Sequence, residues 1–326
     1  MNIRQATHAG SWYSNDPKTL RTQIQALLQR AEKSGISSVN GARVLIGPHA
    51  GYTYSGERLG EAFNVWDTEN VKRVFLLGPS HHVYFKDKAL LSPFQFYETP
   101  FGDLPVDRST IEDLLKKRFK VKPGQPVFKL MSEEIDEDEH SFEMHAPFIY
   151  HQGQKSKHGV PKIIPILISG MDSELQNELV DALLPYIQNK ENHFIISSDF
   201  CHWGSRFGYT KVLTNKSATL QSLETDLHSA RLSSKTIPVH ESIELLDRMA
   251  LQIASKGSVT EWKEYIRVSG NTICGQKPIA VILQLLESYG SKQSGDVFKW
   301  LGYSQSNPAK SPKDSSVSYA AGYVEL

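Results

Sequence analysis

Three stretches of the chain set histidine directly after a short apolar run. Val44-Leu-Ile-Gly-Pro-His49-Ala-Gly51 ends in one histidine, and Phe75-Leu-Leu-Gly-Pro-Ser-His81-His82 in two. Ile195-Ile-Ser-Ser-Asp199-Phe-Cys201-His202-Trp-Gly204 ends in an aspartate, a cysteine and a histidine. Neutral imidazole is a favoured ligand for iron, copper and zinc, and thiolate adds affinity for softer ions. Another soft donor, Cys274, lies in Asn271-Thr-Ile-Cys274-Gly275-Gln-Lys-Pro278, just before an apolar helical pattern from Pro278 to Leu286. A thiol near a helix N-terminus is expected to have its thiolate stabilised, which suits metal ligation or oxidation.

A lone histidine after a strand is more often a hydrogen-bonded loop residue than a ligand, so the weight rests on three similar strand ends rather than on any one. The Gly-Pro element before His49 and the one within Gly78-Pro-Ser-His81 fix local turns that aim the next side chain. Of the adjacent pair, His81 is preferred to His82, because neighbouring side chains in an extended segment point to opposite sides. Asp199 either orients His202 through a hydrogen bond or caps the following turn.

A second polar cluster, Asp138-Glu139-His140-Ser141-Phe142-Glu143-Met144-His145-Ala-Pro147, does not make a zinc protease. His140 and His145 are five apart, not four, and no glutamate follows the first directly. The cluster reads as the first turns of a helix with acidic residues near its N-terminus, and Glu143 or His145 could also reach a crevice rim. Cys201 is either a redox partner of Cys274 or, as the preferred reading, a buried structural thiol.

Bringing these groups together requires strands whose carboxyl ends share one rim. Four continuous apolar runs, Val44 to Ile46, Val74 to Leu77, Ile163 to Ile168 and Phe194 to Ile196, suit strands buried on both faces. Between them lie helical patterns over Thr110 to Phe119, Ser173 to Gln188 and Ser217 to Leu232, the alternation of an α/β fold with a mostly parallel central sheet flanked by helices. Asn15-Asp16-Pro17 opens a further amphipathic helix, with Leu20, Ile24, Leu27, Leu28 and Ala31 at helical spacing up to Gly35. Pro165 cannot donate to a ladder, which places its strand at an edge or a bulge. Lys120 to Glu139 and Ser291 to Ser316 read as loops, and the apolar tail Val317 to Leu326 as a strand. No shift in composition divides the chain, so residues 1–326 are expected to form one domain.

Lysine plus arginine equals aspartate plus glutamate at 36 each, so no net field draws the chain to nucleic acid or anionic lipid. Two cysteines without a CxxC pair fit a reducing compartment. No apolar stretch reaches the roughly 18 residues of a membrane span, and none stands at the N-terminus, so the expectation is a soluble cytoplasmic protein without membrane insertion.

Several motifs together resemble the MEMO family along nearly the whole chain. They are Ser11-Trp-Tyr13 after His8-Ala-Gly10, Pro48-His-Ala-Gly-Tyr-Thr-Tyr-Ser-Gly56, Leu77-Gly-Pro-Ser-His-His82, Asp136-Glu-Asp-Glu-His-Ser141, Ser197-Ser-Asp-Phe-Cys-His-Trp-Gly204, Asn271-Thr-Ile-Cys-Gly275 and Asp314-Ser-Ser-Val-Ser-Tyr-Ala-Ala-Gly322. The resemblance implies a fold similar to class III extradiol dioxygenases, whose iron is held by two histidines and a carboxylate. By that likeness His49, His81 and Cys274 are the metal ligands, for Fe(II) or copper, and His202 matches the acid/base histidine, with Asp199 beside it. Thiolate in place of carboxylate changes the charge, softness and potential of bound iron, so ring cleavage is not implied. The resemblance further implies a cytosolic and nuclear effector of receptor tyrosine kinase signalling in cell motility and invasive growth, with metal-dependent redox chemistry or phosphotyrosine-peptide binding. A working non-haem iron oxygenase or oxidase, and a peptide-binding module without catalysis, are the two rivals.

Overall fold

The computed structural model describes residues 2–230, 237–290 and 296–326. All four continuous apolar runs form neighbouring strands. Labelling the strands of the main sheet alone, these are β1 (Ala42–Gly47), β2 (Arg73–Pro79), β5 (Lys162–Ile168) and β6 (Asn192–Ser197). They stand in the order β1-β6-β2-β5 and are parallel throughout. Every residue of β1 and β6 is buried, as two-sided burial demands of runs without polar alternation.

Beyond these four the sheet turns antiparallel, so it is mixed rather than mostly parallel. On one side β3 (Ala89–Leu91) runs against β5 and carries β4 (Phe128–Leu130). On the other, β9 (Ser316–Glu325) runs against β1, and both β7 (His202–Trp203) and β8 (Lys299–Gln305) pair with it. The apolar tail is thus a strand, as its composition requires. Pro165 lies neither at an edge nor at a bulge. β5 pairs with β2 in unbroken register, and on its other side Ile163 bridges Val106 while Ile166 and Leu167 meet β3, leaving Pro165 in the gap.

Helices flank this sheet. Among them α1 (Pro17–Lys33) begins as its sequence directs, with Pro17 in the first turn and the Asp16 carboxylate accepting from Thr19 N–H at 2.7 Å. It packs on α2 (Tyr52–Val65), which lies against β1 and β9. The two helices approach closely because α2 carries Gly60, where a Cβ would sit 2.8 Å from the Leu27 carbonyl oxygen. Next come α3 (Arg108–Leu115), α4 (Glu133–Asp138), α5 (His140–Glu143) and α6 (Ala146–Gly153). α7 (Ser173–Ile187) and α11 (Gln276–Tyr289) pack on each other and on β6. α8 (Leu223–Asp226), α9 (Val239–Ser255) and α10 (Val259–Ser269) complete the set among the described residues. Side chains from both ends of the sequence, Leu20 and Val324 included, join one continuous apolar core.

Two further expectations are corrected. Ser217 to Leu232 is no continuous helix. Within it lie turns, the four-residue α8 and one strand of a small hairpin, Leu227–Ser229 against Lys211–Leu213, while residues 231 and 232 fall outside the described set. Ser222 and Thr219 bond each other's backbone there, which gives the chain an alternative to helical hydrogen bonds. The predicted loops also hold structure. Lys120 to Glu139 contains β4 and α4, and Ser291 to Ser316, of which residues 291–295 lie outside the described set, contains β8, a half-exposed strand whose side chains lack a clean alternation.

Candidate metal centre

In the sheet β6 stands between β1 and β2, so the segments leaving these three strands are immediate neighbours. His49 follows β1 by two residues, His81 follows β2 by two, and Asp199 follows β6 by two. The loop before α11 closes over them with Cys274. One donor atom each from His49, His81 and Cys274 lie within 4.8 Å of one another, and His49 Nε2 is 3.2 Å from Cys274 Sγ.

Gly275 makes that approach feasible. Its N–H donates to Ser198 Oγ at 3.0 Å, and a Cβ on it would stand 2.3 Å from the Ser198 Cβ and 2.8 Å from the Ser197 carbonyl oxygen. Neither atom can swing away. Gly275→Ala is therefore expected to push the Cys274 loop off the strand ends and to destabilise the chain by about 1–3 kcal/mol, read by urea denaturation.

The hydrogen-bond network assigns the tautomers. Ser197 donates its hydroxyl proton to the Ser141 carbonyl at 2.7 Å, which leaves its lone pairs to accept from His49 Nδ1 at 2.7 Å and His145 Nε2 at 3.1 Å. His49 therefore carries its proton on Nδ1 and turns a bare Nε2 toward Cys274. Glu139 does the same for His81. Its Oε1 accepts from His81 Nδ1–H at 2.8 Å and from Ser141 N–H at 2.9 Å, and its Oε2 accepts from His81 N–H at 2.8 Å. Burial works to raise the Glu139 pKa, yet the hydrogen bonds it accepts, that from the His81 ring first, outweigh it and hold the carboxyl at about 2. Both imidazoles are thus pinned through one nitrogen with the other free, the arrangement by which outer partners orient metal-binding histidines. Burial, then the neighbouring histidines, also keep His49 well below the usual histidine range and so uncharged at neutral pH.

His202 is held from the other side. Its Nδ1 faces the carbonyl oxygens of Phe200 at 2.9 Å and Thr272 at 3.1 Å, so Nδ1 bears a proton and Nε2 is left without a hydrogen-bond partner among the described residues. Asp199 does not orient it. The Asp199 Oδ1 accepts the backbone N–H of His49 at 2.8 Å, with Oδ2 4.0 Å from His49 Nε2. Neither the orienting nor the capping role expected for Asp199 is seen; its carboxylate holds the turn that carries His49. The expected thiolate at Cys274 is also corrected. Burial and then the Asp199 charge push the thiol well above its usual range, despite the Asp199 N–H that donates to Sγ at 3.2 Å. Ligation would displace that proton.

Residues 4–323 match a family model described as Memo-like protein. The chain belongs to the Memo-like family. The MEMO1 family protein MHO1 of Saccharomyces cerevisiae is 40% identical over 340 residues, covering 100% of both chains. Protein MEMO1 of Xenopus laevis is 36% identical, covering 98% of this chain and 96% of that one. Protein MEMO1 of Mus musculus is 34% identical, covering 99% and 97%.

In this Memo-like chain a second donor set, His81, Glu139 and His140, also lies within 4.8 Å. It is the poorer cage, because both Glu139 oxygens and His81 Nδ1 are already engaged with one another. His82 is exposed and belongs to neither donor set, although its ring lies 6.2 Å from that of His140. Neither Glu143 nor His145 reaches the rim. Glu143 is buried under the N-terminal segment, where it accepts from Arg4 Nη1 at 2.8 Å and from the Tyr13 hydroxyl at 2.9 Å. His145 is buried behind Ser197, and burial brings its pKa down to about 3. Cys201 is a free, fully buried thiol packed with Trp203 and Tyr209.

A cavity of about 660 Å³ opens beside the cluster. His49, His81, His140, Asp199 and His202 line it, with Trp12, Tyr54, Phe207 and Tyr319 as aromatic walls and Arg206 among them. Sequence reasoning missed Glu139 and Ser197 as orienting groups and His140 and Arg206 as lining ones. A glutamate directly ahead of His140 was the one available signal for the Glu139 cap. Among the described residues no helix is long and apolar enough to cross a membrane.

Proposed function

We propose that this Memo-like protein binds Fe(II) or copper through His49, His81 and Cys274. The observation that carries this is the pinning of both imidazoles through Nδ1 by Ser197 and Glu139, together with one nitrogen from each ring and the Cys274 thiol lying within 4.8 Å. Two imidazoles and a thiolate suit iron and copper and disfavour magnesium or calcium. Bound metal would supply one-electron redox chemistry with an open side toward the cavity. Within that site His202 is the group that holds or moves a proton, at Nε2, and Asp199 fixes the His49 turn.

The fold reading behind this is that of class III extradiol dioxygenases, with the carboxylate ligand replaced by Cys274. The cellular role is that of an effector in cell motility or invasive-growth signalling, in cytoplasm and nucleus, acting through redox chemistry. Its partner is a signalling protein or a phosphotyrosine-containing peptide, a reading that the aromatic walls and Arg206 of the cavity favour.

The test is elemental analysis of untagged protein loaded anaerobically with Fe(II) or Cu(I). The natural sequence is expected to hold about one metal per chain, and His81→Ala and Cys274→Ser to lose it. Equal metal in all three proteins, or none in any, sinks the ligand assignment and leaves the peptide-binding crevice as the better reading.

A further inference from the structure

Each imidazole assigned a role above has one nitrogen spoken for. His49 gives Nδ1 to Ser197, His81 to Glu139, and His202 to two carbonyls. His140 is different. Its side chain is only 15% exposed and lines the same cavity, and its ring makes no hydrogen bond among the described residues; the ion-pair contact of Nδ1 with Glu139 Oε1, at 3.9 Å, is too long to be one. A ring on a cavity wall that makes no hydrogen bond to the protein is free to give one to whatever occupies the cavity.

Its position is fixed by packing. The ring lies 4.2 Å from the His81 ring and 4.8 Å from that of Trp12, both tilted, and 5.3 Å from the His49 ring, edge-on. α5 anchors it from behind, because the Glu139 carboxylate that orients His81 also caps that helix through Ser141 N–H. His140 is nonetheless outside the first donor set. No nitrogen of His140 joins His49, His81 and Cys274 within the 4.8 Å that defines it. It stands beside the metal position without sharing it.

We propose that His140 is a ligand-contacting residue of this site, giving its ring N–H to a small anionic or oxygen-donor ligand that occupies the open side of the metal. This rests on the metal reading above. It assigns His140 a different duty from His202, which approaches from β7 and is held by the Thr272 loop.

Cobalt(II) replaces the native metal for the test, because a cobalt–thiolate band reports ligation by Cys274 independently of any activity. Azide, a small anion that accepts hydrogen bonds, is titrated into the cobalt-loaded natural protein, His140→Phe and His140→Gln. Phenylalanine keeps the ring and its stacking but loses the donor, whereas glutamine restores an N–H. The expected result is unchanged cobalt content in all three, an azide Kd about ten-fold weaker in His140→Phe, and at least partial recovery in His140→Gln. Equal azide affinity in all three overturns the proposal, as does loss of cobalt from both variants, which would make His140 a metal ligand. If the natural protein itself takes up no cobalt and shows no thiolate band, the metal reading fails first and this inference falls with it.

Discussion

Arg4→Met is expected to destabilise the folded chain by about 3–5 kcal/mol, the cost of leaving buried carboxylates without their cation. Arg4 is 1% exposed and spends its guanidinium inside the protein. Nε donates to the carboxylate and the carbonyl of Asp136 at 3.1 and 2.9 Å, Nη1 to Glu143 at 2.8 Å, and Nη2 to the Glu139 carbonyl at 2.8 Å. Methionine fills similar volume but satisfies none of these acceptors. The two carboxyls respond in opposite ways to their surroundings. Burial dominates at Asp136 and raises it despite Arg4, whereas at Glu143 burial is outweighed by the His8 hydrogen bond and the Arg4 charge, which hold it at about 2.

A carboxyl depressed on folding stabilises the protein fully above its unfolded pKa, and that contribution disappears as the pH falls toward the folded value. For Glu143 the loss runs from the ordinary glutamate range down to about 2. In Arg4→Met the share of the depression that Arg4 supplies is lost while the His8 hydrogen bond stays, and protonation then partly relieves the variant. The gap between variant and natural protein is expected to narrow between pH 7 and pH 4. Urea denaturation at both values checks it; a gap below about 1 kcal/mol at pH 7 would show the network to be replaceable by apolar packing.

The parts of the site that the sequence carried openly are those written locally. An apolar run followed by Gly-Pro and histidine already contains strand, turn and aimed side chain, and Val44 to His49 and Phe75 to His81 fold in that way. Asp16-Pro17 likewise declares the start of α1. What was not legible depends on three bodies at once. Ser197 serves His49 only because α5 presents the Ser141 carbonyl to its hydroxyl, and Glu139 serves His81 only because α5 packs on the end of β2. Nothing in the spacing of these residues encodes that meeting. Asp199 shows the same limit: its neighbours in sequence suggested His202, but its partner comes from the adjacent strand. Helix α2 was hidden for another reason, since Gly56 and Gly60, which admit α1, weaken its helical signal.

Glu139 gives the sharpest test of how the centre is organised. Its carboxylate accepts three N–H groups, from His81 Nδ1, His81 N and Ser141 N, and it is 1% exposed. Alanine would strand all three donors, so Glu139→Ala mixes a folding defect with any effect on metal. Glutamine separates them. It keeps the volume and one acceptor oxygen, but its amide nitrogen opposes an N–H on the other side. Either His81 Nδ1 or the His81 backbone then loses its partner, and the ring is no longer held with Nε2 toward His49 and Cys274. Removing such an orienting partner lowers metal affinity by roughly 10–100-fold while the ligands stay in place. Glu139→Gln is therefore expected to bind iron or cobalt about 10–100-fold more weakly in a chelator competition, with circular dichroism unchanged. Unchanged affinity would mean that packing against His140 and His49, not the carboxylate, sets the His81 ring. Complete loss of metal with a native fold would instead mean that Glu139 is itself a ligand, and would move the centre from Cys274 toward the set of His81, Glu139 and His140.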